Sequence, residues 1–228
     1  MRDQARHDWP GFIRAHTVLM HPPLVPEVLL HMAAESLSIW QLTEDELAER
    51  NVPPPYWAFA WAGGQALARY LLDNPAEVAG RRVLDLGTGS GLTAIAARLA
   101  GAASVIANDV DPIACVAVAV NATANNCLIE VTAEDLLPDA AYDGATPDVD
   151  VLLVGDLFYE KPLAERVLAF IEGYQARGVL VLTGDPQRSY FPAARFDRLA
   201  EYSVPVSREL EDSEIKRTAV WGLLPVKV

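Results

Sequence analysis

The chain is short of sulfur and of positive charge. Of its 228 residues only two are cysteine, Cys115 and Cys127; they lie twelve apart with no CxxC spacing, which suggests neither a zinc site nor a disulfide framework. Eighteen lysines and arginines face 31 aspartates and glutamates, a formal net charge of −13. Clustered cations are what nucleic-acid backbones require, so this balance disfavours long tracts of nucleic acid as ligand. It suits a basic partner or a small molecule. No apolar run approaches the ~18 residues of a membrane span, and the longest, Ile113 to Val120, reads as a buried segment. Residues 1–16 scatter three arginines and two aspartates and lack the apolar core of a secretion signal. These absences lead to the expectation of a soluble, cytoplasmic protein. The length suits one α/β unit with a full core.

What is present alternates. Six prolines, at 22, 23, 26, 53, 54 and 55, bracket a candidate helix from Glu27 to about Leu37, and Thr43 with Glu46 forms a capping-box pattern opening a short helix to Arg50. Residues 1–55 read as an N-terminal appendage and 56–228 as the main domain. Helical spacing runs from Trp61 to Leu72 until Asn74-Pro75 stops it. Strands are then expected at 82–86, 104–108, 128–132, 149–154 and 178–183, and helices at 92–100, 112–125, 163–174 and 189–199. Two last strands, at 201–207 and 217–224, flank the acidic turn from Glu209 to Glu214. Such alternation predicts a Rossmann-like α/β fold: a seven-stranded, mostly parallel sheet with helices on both faces and an antiparallel last strand.

The most informative stretch is Val83-Leu84-Asp85-Leu86-Gly87-Thr88-Gly89-Ser90-Gly91. An apolar strand, a turn with glycines at alternate positions and a following helical segment make a nucleotide-cofactor turn. The dinucleotide fingerprint spaces its glycines GxGxxG to receive a pyrophosphate; here the spacing is GxGxG with Asp85 two residues before it. A carboxylate there repels phosphate and attracts a cation, which favours S-adenosylmethionine over NAD. Eighteen residues past Gly91, Asp109 ends the next strand, where an acid accepts hydrogen bonds from a ribose diol. The plainer readings are a glycine turn that only packs a helix on a strand, and an Asp109 that caps the helix opening at Pro112.

Ligands in open parallel sheets gather at the carboxyl ends of strands where connectivity reverses. After the 149–154 strand comes Gly155-Asp156-Leu157-Phe158-Tyr159. Enzymes that methylate nucleobase or glutamine nitrogens carry an Asn/Asp-Pro-Pro-aromatic motif at this place, suited to a planar amide. This chain has neither proline, and its carboxylate and phenol, three residues apart, suit a flexible cationic amine. The plainer reading has Asp156 capping the next helix and Tyr159 in the core.

With these motifs in view, the chain resembles the seven-β-strand methyltransferases of the family-16 lysine methyltransferase group, which carry D-x-x-Y at this point. Within that group it is similar to the bacterial relatives of the enzymes acting on the electron transfer flavoprotein β subunit. The matching stretches are PPYWAFAWAGGQALARYLLDNP at 54–75, VLDLGTGSGLTAIAA at 83–97, ANDVDPIA at 107–114, GDLFY at 155–159 and TGDPQR at 183–188. The resemblance implies a protein-lysine methyltransferase with that flavoprotein subunit as partner and S-adenosylmethionine as cofactor, without a metal. It implies that Trp57 or Trp61 lines the cofactor pocket, that Gly87, Thr88, Gly89 and Gly91 lie against the methionine portion, and that Asp109 holds the ribose. It also implies an acid at the adenine amine, Asp135 or else Glu134. Asp156 would capture and aim the lysine amine and Tyr159 would orient it. As simple core aromatics, Trp57 and Trp61 are equally well explained, and Gly184-Asp185-Pro186 reads as either the substrate mouth or a plain turn. A ribosomal-protein methyltransferase and a non-catalytic cofactor-binding protein are the competing readings.

Overall fold

Apolar strands buried on both faces set the architecture, because a parallel sheet covered on two sides needs near-continuous hydrophobic runs. The structure, a computed structural model, describes residues 8–33, 54–137, 146–206 and 214–224. The elements are α1 (Trp9–His16), β1 (Val18–Met20), β2 (Leu30–Met32), α2 (Ala62–Asp73), β3 (Arg82–Leu86), α3 (Leu92–Leu99) and β4 (Ser104–Asn108). They continue with α4 (Pro112–Ala124), β5 (Glu130–Thr132), β6 (Val151–Gly155), α5 (Lys161–Ala176), β7 (Leu180–Asp185), β8 (Phe196–Pro205) and β9 (Ile215–Leu223). β1 and β2 form a separate antiparallel pair; the other strands make one seven-stranded sheet in the order β5-β4-β3-β6-β7-β9-β8. Its first five strands are parallel, and β9 runs antiparallel to both β7 and β8.

Alternation along each strand divides the core between two faces. On β6, Val151 and Leu153 join Leu67 of α2, Ala94 and Ala97 of α3 and Val118 of α4. Leu152 and Val154 point the other way, to Val167, Phe170, Ile171 and Tyr174 of α5. α4 starts cleanly because Asp111 caps it, accepting from the Ile113 N–H at 2.8 Å, with Pro112 in the first turn. Among the described residues no helix is long and apolar enough to cross a membrane.

Two sequence expectations fail, each because a distant partner outweighs local propensity. The helix expected at 189–199 is absent: Ala193–Arg195 makes one 3₁₀ turn and β8 begins at Phe196, paired with β9 along its length. Phe196 is buried against Phe191 at a ring separation of 4.9 Å, an anchor that a helix would turn away. The candidate helix from Glu27 is likewise extended up to residue 33, and the rest of it lies outside the described residues, as does the 43–50 helix. Its backbone is claimed by one α4 side chain and by the residue that caps that helix: His31 N donates to Asn121 Oδ1 at 2.8 Å and Leu29 N to Asn125 Oδ1 at 2.9 Å. α1, by contrast, carries a readable start, with Asp8 Oδ1 accepting from Gly11 N at 2.9 Å and Pro10 in the first turn.

Asn121 is fully buried and also donates through Nδ2 to Ser90 O at 2.8 Å, so one side chain ties the N-terminal segment to the glycine turn. Asn121→Ala should leave the buried Ser90 carbonyl and the half-buried His31 N–H unpaired and lower stability by about 2–4 kcal/mol in urea denaturation; a loss under about 0.5 kcal/mol would mean that the tie is inconsequential.

Candidate active site

Beyond β3 the chain enters a turn in which Gly87, Gly89 and Gly91 all have positive φ, at 62°, 54° and 82°. At Gly89 this matters twice. The conformation strains any L side chain, and a Cβ there would project into open space, meeting nothing nearer than the Trp57 Cα at 4.0 Å. The turn is therefore a bare backbone cradle. Asp85 lies underneath it, 1% exposed, with Oδ2 accepting from Thr88 Oγ1 at 2.5 Å, Thr93 Oγ1 at 2.6 Å and Ala94 N at 3.1 Å. The sequence reading had this carboxylate attracting a cation directly; these bonds tie it to the turn and to the N-terminus of α3, where negative charge is favoured. Burial pushes its carboxyl up to about 6 despite those three donors, with Asp109 adding to the rise.

Asp109, just past β4, faces the same cradle. Its Oδ2 accepts from Gly89 N at 2.9 Å and its Oδ1 from Asp111 N at 3.0 Å. Helix capping falls to Asp111, so the plainer reading of Asp109 does not hold. Burial raises the Asp109 pKa, opposed by backbone donors at 111, 89 and 110.

Across the sheet's switch point, Asp156 follows β6 in the left-handed region, φ 57°. The conformation turns its carboxylate toward α2: Oδ2 accepts from Gly64 N at 2.9 Å, and Oδ1 from Arg188 Nε at 3.0 Å and Nη2 at 2.6 Å. It caps nothing on α5, which opens at Lys161. Gly63 makes the approach possible, since a Cβ there would lie 2.5 Å from Asp156 Oδ2 and overlap the Gly184 carbonyl. The next residue, Leu157, rests on the glycine turn so closely that a Cβ on Gly87 would come within 2.7 Å of it. Thus the acid after β6 and the cradle after β3 are neighbours.

Tyr159 is 42% exposed and does not belong to the core. Its ring stands 6.1 Å from that of Tyr56, which stands 5.9 Å from Trp61. Burial raises its hydroxyl pKa, with Tyr56, Glu160 and Asp109 adding and Arg188 opposing. The Arg188 guanidinium lies 5.5 Å from the Trp61 ring. Trp57 is a core aromatic, 2% exposed among Ile13, Phe59, Ile113 and Ala117, while its backbone flanks the turn at Gly89. Asp135 stands exposed beyond β5, its Oδ2 paired with Arg166 Nη2 at 2.9 Å and its Oδ1 accepting from Leu137 N at 3.0 Å. Glu134 is exposed beside it and its carbonyl accepts from Asn108 Nδ2 at 2.8 Å.

Sequence reasoning gave no role to Arg188, Tyr56 or the Gly63–Gly64 pair, although all lie in the matching stretches at 54–75 and 183–188; a further signal was two glycines opening a helix, which propensity alone does not favour. It left Asp185 open. That residue is fully buried, with Oδ1 accepting from Arg188 N at 2.7 Å and Oδ2 lacking a partner among the described residues. Burial, and next the Asp156 charge, push its carboxyl up to about 7.

An open cradle, an acid at the end of β4, and a carboxylate and a phenol three residues apart after β6 suit the alignment of a cofactor-borne group with an incoming nucleophile. Residues 66–154 match the family model of ribosomal protein L11 methyltransferase. The magnesium protoporphyrin IX methyltransferase of Synechocystis, solved with S-adenosylmethionine bound, shares the fold at a TM-score of 0.53 and 13% identity, over 84% of this chain and 87% of that one. The chain is an S-adenosylmethionine-dependent methyltransferase of the Rossmann-like class. The electron transfer flavoprotein β subunit lysine methyltransferase of Danio rerio is 39% identical over 220 residues, 94% of this chain and 83% of that protein. Its Homo sapiens counterpart is 36% identical over 210 residues, 89% and 76% of the two chains. This chain belongs to that lysine methyltransferase family.

The buried acids have a consequence for pH. Asp185 holds its proton more tightly folded than unfolded between about 4 and about 7, so stability falls as pH rises through that window and levels off above it. Asp185→Asn should flatten this slope by about 2–4 kcal/mol in urea midpoints taken from pH 4 to 8. An unchanged slope would show that Asp185 ionises normally.

Proposed function

We propose that the chain methylates lysine side chains of the electron transfer flavoprotein β subunit. The observation that carries this reading is the contact of the Asp156–Leu157 segment with the glycine turn, which sets an amine-directed carboxylate beside the methyl donor's cradle. The names of the relatives at 36–39% identity support the substrate. The ribosomal match ends at residue 154, one residue before Gly155-Asp156, and so covers the cofactor half without the amine-facing motif.

We assign the ribose hydroxyls to Asp109, whose carboxylate oxygens have lone pairs beyond those its backbone donors use, and the methionine portion to the backbone of Gly87 through Gly91. Asp85 acts through the turn that it holds. We assign Trp57, whose backbone flanks the turn, and Trp61 to the cofactor pocket, and Asp135, or Glu134 beside it, to the adenine amine. S-adenosylmethionine supplies a sulfonium-activated methyl group, so that an N–CH₃ bond forms as the S–CH₃ bond breaks and S-adenosylhomocysteine leaves.

The attacking lysine must be neutral. From a reference pKa of ~10.4, deprotonation at pH 7 costs about 4.6 kcal/mol. Desolvation between Tyr56, Trp61 and Tyr159 lowers that cost, and the proton leaves to water before attack. Asp156 then accepts an N–H of the amine and points its lone pair at the methyl carbon, while the Tyr159 hydroxyl limits its rotation. Alignment of this kind supplies most of the acceleration.

Asp156→Ala, and Asp156→Asn that retains the Gly64 bond, should lower methylation by about a hundredfold or more with calorimetric affinity for S-adenosylmethionine kept. Near-normal turnover in either would refute the assignment. Asp109→Ala should weaken S-adenosylmethionine binding by about ten- to a hundredfold, and Gly89→Arg should abolish it. The substrate is tested with tritiated S-adenosylmethionine in a lysate followed by mass spectrometry: label on lysine of the flavoprotein subunit is expected. Label on a ribosomal protein, or none, would overturn the proposal.

A further inference from the structure

Asp156 is not an isolated negative charge. Arg188 meets its Oδ1 through both Nε and Nη2, at 3.0 and 2.6 Å, and the two side chains are only 17% and 10% exposed. On the other side Oδ2 rests on the Gly64 N–H, in the first turn of α2, where the helix presents partial positive charge. Arg188 is itself anchored, its backbone N–H donating to Asp185 Oδ1 at 2.7 Å and its guanidinium lying over Trp61. Among the described residues, Asp185 at the end of β7 feels both charges of this pair, and Tyr159 after β6 feels that of Arg188; Tyr159 in turn has Tyr56 from the turn before α2, Glu160 beside it and Asp109 after β4 around it.

This arrangement answers a difficulty in the reaction. A carboxylate beside a lysine amine stabilises the ammonium, which cannot attack, so an uncompensated Asp156 would hold the substrate in its unreactive form. A fixed guanidinium removes that pull, and a carboxylate oxygen carries lone pairs for more than one donor, an N–H of the amine among them. Resting on the reading that Asp156 meets the amine, we propose that Arg188 is a positioning residue: it cancels the Asp156 charge, so that the lysine nitrogen sits at the site as a neutral hydrogen-bond donor and not as an ion-paired ammonium. Asp156 supplies direction, and Arg188 prevents direction from becoming a trap.

The proposal predicts opposite effects on turnover and on binding. In Arg188→Gln, kcat at pH 7 should fall about tenfold and recover at higher pH, as the acid limb of the kcat profile moves up by about one unit. The same variant, loaded with S-adenosylhomocysteine, should bind the unmethylated flavoprotein β subunit at least as tightly as the parent, because an exposed carboxylate now grips the ammonium. Affinity for S-adenosylmethionine should hold, and Arg188→Lys should return the acid limb to the parent position. A purely structural role predicts a loss equal at every pH together with weakened substrate binding, and that result would overturn the inference. If Arg188→Gln fails to fold, Arg188→Lys decides: an acid limb in the parent position supports the inference, and a displaced one refutes it. Asp156→Asn separates the two layers. If it is inactive while Arg188→Gln has an unshifted limb, only the role of Arg188 falls; if it turns over normally, the role of Asp156 falls first.

Discussion

Parallel pairing of β3 with β6, in register from Val83 opposite Val151 to Leu86 opposite Val154, is the constraint on which the site depends. β3 also pairs with β4, so the chain leaves β3 toward one edge of the sheet and returns at β6 to build the other. Two strands that are neighbours in space but whose paired residues lie 68 apart in the chain therefore release their loops side by side. One loop is a glycine turn with an open backbone. The other carries a carboxylate in a left-handed conformation. Neither has chemical meaning alone, and their adjacency follows from the hydrogen-bonded pairing of β3 with β6 in the sheet interior.

The same end of the sheet gathers four acids, Asp85, Asp109, Asp156 and Asp185, each 8% exposed or less or held by backbone donors. Burying carboxylates is costly unless each finds donors. Asp85 finds two threonine hydroxyls and a helix N–H, Asp109 two backbone N–H groups, and Asp156 a helix N–H and a guanidinium. Asp185 finds one donor for one oxygen, and burial holds its proton on to about pH 7. An acidic rim suits a cationic donor and a cationic substrate side chain. On the proposed lysine chemistry the substrate nitrogen must be uncharged, and that is the weight the proposal gives to the Arg188 guanidinium beside Asp156.

Much of this was legible before the fold. The strands at 82–86 and 104–108 were readable to the residue, because each is a short apolar run bounded by a glycine turn or by Asp-Pro. So were Asp109 and Asp156, whose places follow from strand ends. The 189–199 segment was not, since Ala193, Ala194, Arg195 and Leu199 read as helix and only pairing with β9 makes Phe196 onward a strand. Residues 27–33 misled for a related reason: prolines marked the ends of a segment whose backbone hydrogen bonds go to Asn121 and Asn125, 90 and 96 residues away.

By itself the sequence determined the glycine turn, the acids that follow the strands and the family these motifs belong to, because all of them depend on local spacing and on backbone freedom within a few residues. The tertiary structure alone decided who touches Asp156. Its partners are Gly64, 92 residues before it, and Arg188, 32 residues after it, brought together by the stacking of α2 on the sheet and by the β6–β7 register. Contacts across such separations depend on strand order, and strand order comes from burying the whole sheet at once.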